Sequence, residues 1–301
     1  MKRVMAAMAA LVICVLVGCA SNHPGPPDSG PEVEVERGPK VFPIEGDPNG
    51  LWWDDSTQTL YLADENGNRI LKWSDADGFA LVKELPTASP EGAGLGQLVL
   101  VANGTLVVTR LGYGTTGDAV SVSSWGDAQV VPGLDPMRRR IGLTVAKDGK
   151  MFDSWFVHLA TGAHVGAVGE LSLIGTEPEV ITGLKKPVGV LAVGEDLFVS
   201  DQDLGQILKA PRSNPSAYTV FATVAAPDLL AEGPDGSIFT GSTGGNLYLI
   251  TASGAASVFA SGFQEVRGLA YDSAHRRLFV ADHDSNESDG VSHVLHILPV
   301  D

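Results

Sequence analysis

PNGLWWDDSTQTLYLADENGNRILKW, residues 48–73, reads as three short apolar runs (Leu51 to Trp53, Thr59 to Ala63, Arg69 to Trp73) separated by polar turns. Runs of that length bounded by Asp, Asn, Ser or Gly are the signature of antiparallel hairpins. The pattern returns. Residues 267–281 read RGLAYDSAHRRLFVA and are followed by Asp282, while residues 187–209 read PVGVLAVGEDLFVSDQDLGQILK. Superposing Leu60, Leu197 and Leu278 brings the turns and the aspartates Asp64, Asp201 and Asp282 into register. Self-similarity at about 40 residues with several strands per unit points to the blades of a β-propeller.

Working outward, the chain of 301 residues is 44% hydrophobic and holds 36 Gly and 18 Pro. That suits a sizeable core and many tight turns rather than long helices. Residues 1–18 are a leader: Lys2 and Arg3 precede an apolar run from Val4 to Val17 that is short for a membrane span. Leu16, Val17, Gly18 and Cys19 resemble a bacterial lipobox, which implies cleavage before Cys19 and lipidation of that cysteine. Ala20 after it implies the outer membrane of a Gram-negative cell envelope. Cys14 and Cys19 are the only cysteines, so the mature domain has no disulfide or thiol chemistry. The net charge of −16 excludes nucleic acid as a partner.

Residues 19–39, rich in Pro, Gly and acids, read as a flexible tether. Six units then follow, at about 48–85, 96–134, 140–184, 185–223, 225–263 and 264–301. The last ends on a third strand, HVLHILP, and lacks an outer one, while residues 40–46 (KVFPIEG) stand unclaimed before the first unit. The expected fold is therefore all-β: one six-bladed β-propeller over 40–301 with four-stranded blades, closed by an N-terminal strand that completes the last blade. Pro43 is tolerable on an outermost strand.

Residues just before each innermost strand converge on one mouth of a propeller's channel. Aligning the units places Asn49, Gln97, Ile141, Val188, Asp228 and Arg267 there, with Arg140 as a one-residue slip. PNGLWWDDSTQTLYLAD and PDLLAEGPDGSIFTG (227–241) resemble blades of the SMP-30/gluconolactonase/strictosidine-synthase-like propellers, related to NHL-type ones. The resemblance implies a calcium ion at the mouth, held by a Glu of the first blade, Asn of the third and fourth, and an Asp of the fifth. Carried over, Asp228 retains the Asp, Asn49 replaces the Glu, and Ile141 (or Arg140) and Val188 replace the two Asn. Asp228 and Asn49 are thus the metal candidates, calcium is the cofactor the resemblance adds, and the residues themselves require none.

Two readings of Asn49, Gln97, Arg140, Asp228 and Arg267 stay open. They form a polar ring for a small polar ligand, or an Asp–Arg pair satisfies a water-filled channel. Among the histidines, His293 and His296 point to opposite faces of a strand, and His283 is the one candidate general base. No G-x-S-x-G, H-E-x-x-H or Walker pattern occurs. Asp64, Asp201 and Asp282 read as turn residues, and residues 158–169 as an insertion. The expected function is a membrane-anchored module that binds a ligand or an envelope protein. The alternative is a divergent calcium-dependent lactone or ester hydrolase.

Overall fold

The computed structural model describes residues 38–65, 67–87, 94–284 and 293–301. The leader, Cys19 and nearly all of the tether lie outside the described residues. No helix among the described residues is long and apolar enough to cross a membrane.

Strand β1 (Lys40–Pro43) comes first. The first blade is β2 (Pro48–Asp54), β3 (Thr59–Asp64), β4 (Arg69–Ser74) and β5 (Gly78–Glu84). The second is β6 (Leu95–Leu100), β7 (Leu106–Arg110), β8 (Asp118–Val122) and β9 (Ala128–Val130). The third is β10 (Arg139–Val145), β11 (Met151–His158), β12 (His164–Leu171) and β13 (Glu179–Leu184). The fourth is β14 (Pro187–Val193), β15 (Asp196–Asp201), β16 (Gln206–Pro211) and β17 (Thr219–Thr223). The fifth is β18 (Pro227–Glu232), β19 (Ile238–Ser242), β20 (Asn246–Ile250) and β21 (Ala256–Ser261). The sixth holds β22 (Glu265–Asp272), β23 (Arg277–His283) and β24 (Val294–Pro299). Its fourth strand is β1, antiparallel to β24 with Phe42 opposite Leu295. The protein is a six-bladed β-propeller of four-stranded antiparallel blades.

The core consists of apolar wedges, one between each pair of neighbouring blades. Leu51, Trp53, Leu60 and Trp73 of the first blade pack on Phe279, Leu295 and Ile297 of the sixth. Val99 and Val107 of the second meet Leu143 and Met151 of the third. Both faces of a blade are therefore covered, which is why β7, Leu-Val-Val-Thr-Arg, is buried along its whole length.

In the first, fourth and sixth blades a recurring aspartate fastens the start of the innermost strand to its neighbour. Asp64 accepts the N–H of Asp47 at 2.9 Å, Asp201 those of Lys185 and Lys186 at 2.8 and 3.1 Å, and Asp282 those of Gln264 and Glu265 at 2.8 and 3.2 Å. A side-chain carboxylate thus satisfies the backbone donors that lead into the innermost strand. Residues 158–169, expected as an insertion, are instead a hairpin: β11 and β12 continue to His158 opposite His164, with a turn between them.

Candidate functional site

Each innermost strand carries a register shift at its start. It falls between Pro48 and Leu51, Leu95 and Leu98, Arg140 and Leu143, Pro187 and Gly189, Pro227 and Leu230, and Val266 and Leu269. A bulge leaves one residue unpaired and re-aims its side chain. The residues at that point are Asn49, Gly96, Ile141, Val188, Asp228 and Arg267, and all six line one cavity of about 280 Å³ at the mouth of the channel. The following position is mostly glycine because the strands crowd the axis: a Cβ on Gly268 would run into the carbonyl oxygen of Asn49.

Asn49, Asp228 and Arg267 thus come together as the sequence predicts. Gln97 and Arg140 do not join them. In the second blade the bulge position is Gly96, so Gln97 lies one residue further in, donates to the Leu51 carbonyl at 2.8 Å, and lines a cavity further along the channel. Arg140 stands before the bulge, where its side chain turns between blades and is fully buried. Its Nε and Nη2 donate to the two oxygens of Glu177 at 2.7 and 2.8 Å, and its Nη1 to the Gly117 and Asp135 carbonyls. Asp153 lies 3.3 Å from the same guanidinium. Burial, and then Glu177 beside it, push the Asp153 carboxyl well above the usual carboxylate range. This is a structural ion pair.

Three charged mouth residues went unseen in the sequence: Glu65, Glu265 and Lys186. Each sits at a strand end beside a residue with a plain structural role. Arg267 is bracketed by two of them. Its Nη1 donates to Glu65 Oε2 at 2.6 Å, and its Nε and Nη2 to Glu265 Oε2 at 3.3 and 3.2 Å. Asn49 donates to Glu65 at 3.2 Å and to the Leu95 carbonyl at 2.9 Å, while its buried Oδ1 has no partner. Asp228 accepts the Leu229 N–H at 3.0 Å.

The electrostatics follow from burial. Desolvation raises the Glu65 carboxyl above its ordinary range against the pull of Arg267. It raises Asp228 likewise, with Arg267 again opposing. Burial lowers the pKa of Arg267, but Glu65, Asp228 and Glu265 together outweigh it and raise it. The guanidinium is therefore a fixed cation, and the carboxylates around it compete for it.

The residues as arranged do not fit a calcium ion at the centre of the mouth. Oxygen donors would have to converge from several blades, yet blades two, three and four offer Gly96, Ile141 and Val188. Arg267 already occupies Glu65 and Glu265. The guanidinium lines the same cavity as Asn49 and Asp228.

The channel also holds a second cavity, of about 260 Å³, walled by Leu51, Trp53, Leu143, Leu191, Leu230 and Leu269. His283 is buried and meets Asp47 and His293 beside the mouth. His158 and His164 face each other at the blade-three hairpin, their Nε2 atoms 3.3 Å apart, and Asp203 holds the latter at 2.6 Å.

A six-bladed propeller with a polar mouth at the bulges of its innermost strands defines the class. No protein-family model matches the chain, and no curated protein matches it in sequence. Among solved structures it is similar to a gluconolactonase from Xanthomonas campestris (18% identity, TM-score 0.69, covering 87% of this chain and 90% of the other). It is similar as well to regucalcin, a calcium-binding protein from Agrobacterium tumefaciens (12% identity, TM-score 0.68, 86% and 91%). A luciferin-regenerating enzyme aligns at 15% identity and TM-score 0.67 over 87% and 95%. The structural neighbours are thus gluconolactonase/SMP-30-type propellers, and at these identities the likeness is one of fold.

Proposed function

We propose that the chain is a propeller module, tethered to the outer membrane through Cys19, whose channel mouth binds a small hydroxylated ligand. The observation that carries this reading is the placement of Arg267 between Glu65 and Glu265, with Asp228 and Asn49 lining the same cavity. The open positions are mostly acceptors, so the ligand brings donors. Hydroxyl groups suit both these acceptors and the Lys186 ammonium. Ile141 and Val188 supply an apolar wall, and a cavity of about 280 Å³ lies near the lower end of ligand pockets, about 300–1,000 Å³.

A thermal-shift screen of monosaccharides, polyols and sugar acids tests the reading. At least one compound raises the melting midpoint, and Asp228→Ala and Asn49→Ala each remove that rise. Silence across the whole screen, or a rise that survives both substitutions, refutes it.

One observation favours the second reading, a lactone or ester hydrolase. Glu65 and Asp228 both have their carboxyls raised toward neutrality at one mouth, which suits proton transfer. Lactone turnover that Asp228→Ala and Glu65→Gln abolish would replace the binding module with that enzyme.

A further inference from the structure

Beside the mouth and off the channel axis, Asp47, His283 and His293 bring their ligand atoms within 4.8 Å of one another. We propose that these three residues form a binding site for a zinc-type dication that clasps the junction of the sixth and first blades. The inference is independent of what the mouth binds.

The three side chains come from different places. Asp47 lies in the link between β1 and β2, His283 ends β23, and His293 immediately precedes β24. The Asp47 Oδ1 touches the His283 Nδ1 and lies 3.9 Å from the His293 Nδ1. The imidazole centroids are 5.0 Å apart with their planes at 33°. Ligand bonds of about 2.0–2.1 Å in a tetrahedron separate donor atoms by about 3.3–3.5 Å, so small side-chain shifts close the set around one ion.

The frame around the ligands is already fixed. The Asp47 N–H donates to Asp64 at 2.9 Å, its carbonyl accepts the Glu65 N–H at 2.7 Å, and the His293 carbonyl accepts the Ile44 N–H at 2.9 Å. Asp47 and His283 are buried, at 4% and 7% exposure. The Asp284 N–H donates to the lone pair of His293 Nδ1 at 3.0 Å. An ion takes the same lone pair over from the amide.

Donor chemistry selects the metal. Two imidazoles and one carboxylate suit zinc and leave a fourth position open, whereas calcium and magnesium prefer oxygen. The site is thus distinct in place and in chemistry from the calcium position the resemblance implies. A bound ion would tie the link that follows β1 to both ends of the β23–β24 connection, across the point where the ring closes.

The test uses the full chain, stripped with chelator and carrying His158→Ala and His164→Ala, so that the exposed pair on blade three supplies no binding. Zinc titrated calorimetrically binds at one equivalent with a midpoint at or below about 10 µM, and it raises the melting temperature. His293→Ala weakens binding roughly 100-fold or more and removes the rise. No saturable binding, or binding that His293→Ala leaves intact, overturns the site. If His293→Ala does not fold, cobalt added to the parent chain decides instead. One equivalent gives the visible bands of a low-coordinate nitrogen–oxygen site, and their absence overturns the proposal.

Discussion

Asp228 stands at the bulge of β18, buried at 8% exposure, with Arg267 as its nearest counter-charge and Lys186 next. Burial raises its carboxyl above the ordinary 3.8. An acid raised in this way binds its proton more tightly folded than unfolded. Its contribution to stability is full below the ordinary value and is lost as pH rises through the folded one. Asp228→Asn removes that loss. The variant should therefore gain stability relative to the parent as pH rises above the ordinary 3.8, read from urea midpoints at each pH. A parent that gains on the variant over the same range would mean that Arg267 and Lys186 outweigh burial. Side chains held against stability in this way gather where a protein binds or reacts.

At the scale of the element, the bulge and the turn aspartate act together. The bulge aims one residue per blade into the channel, and the aspartate fixes where that strand begins. Asp201 makes the point most fully, since it accepts N–H groups from Lys185, Lys186 and Leu204 at 2.8, 3.1 and 3.4 Å. Asp201→Ala leaves the donors that enter β14 without a partner. Hydrogen bonds to a charged group contribute about 1.5–3 kcal/mol each, so the loss should come to about 3 kcal/mol in equilibrium denaturation, with faster hydrogen exchange at Lys186. A loss below about 1 kcal/mol would show that the turn holds without the carboxylate. Arg140 follows a different rule. Standing before the bulge, it is committed to Glu177 and to backbone carbonyls, and so serves blade packing rather than the mouth.

Across the whole molecule, the apolar wedges and the six sheets were legible in the sequence because they rest on local signals. Turn residues and short apolar runs mark every blade, the repeated aspartate marks the first, fourth and sixth, and the unclaimed run at 40–46 contains the strand that pairs with β24. The mouth was legible only where a strand began as its repeat did, as at Asn49, Asp228 and Arg267. Gln97 fell one residue off because a bulge shifts register without leaving a mark in composition. Glu65, Glu265 and Lys186 stayed hidden, since a charged residue at a strand end looks like any solvated one. The approach of Asp47 to His283 and His293 depends on the pairing of β1 with β24, which joins segments far apart in sequence and leaves no local pattern.

The central claim is that Arg267 takes the place of a metal at the mouth. The most direct measurement is the melting midpoint of the chelator-treated protein with and without millimolar calcium, for the parent and for Asp228→Ala. With Glu65 and Glu265 held by the guanidinium, calcium should leave the midpoint of both proteins unchanged. A rise in the parent that Asp228→Ala abolishes would put a calcium ion at the mouth and contradict the account.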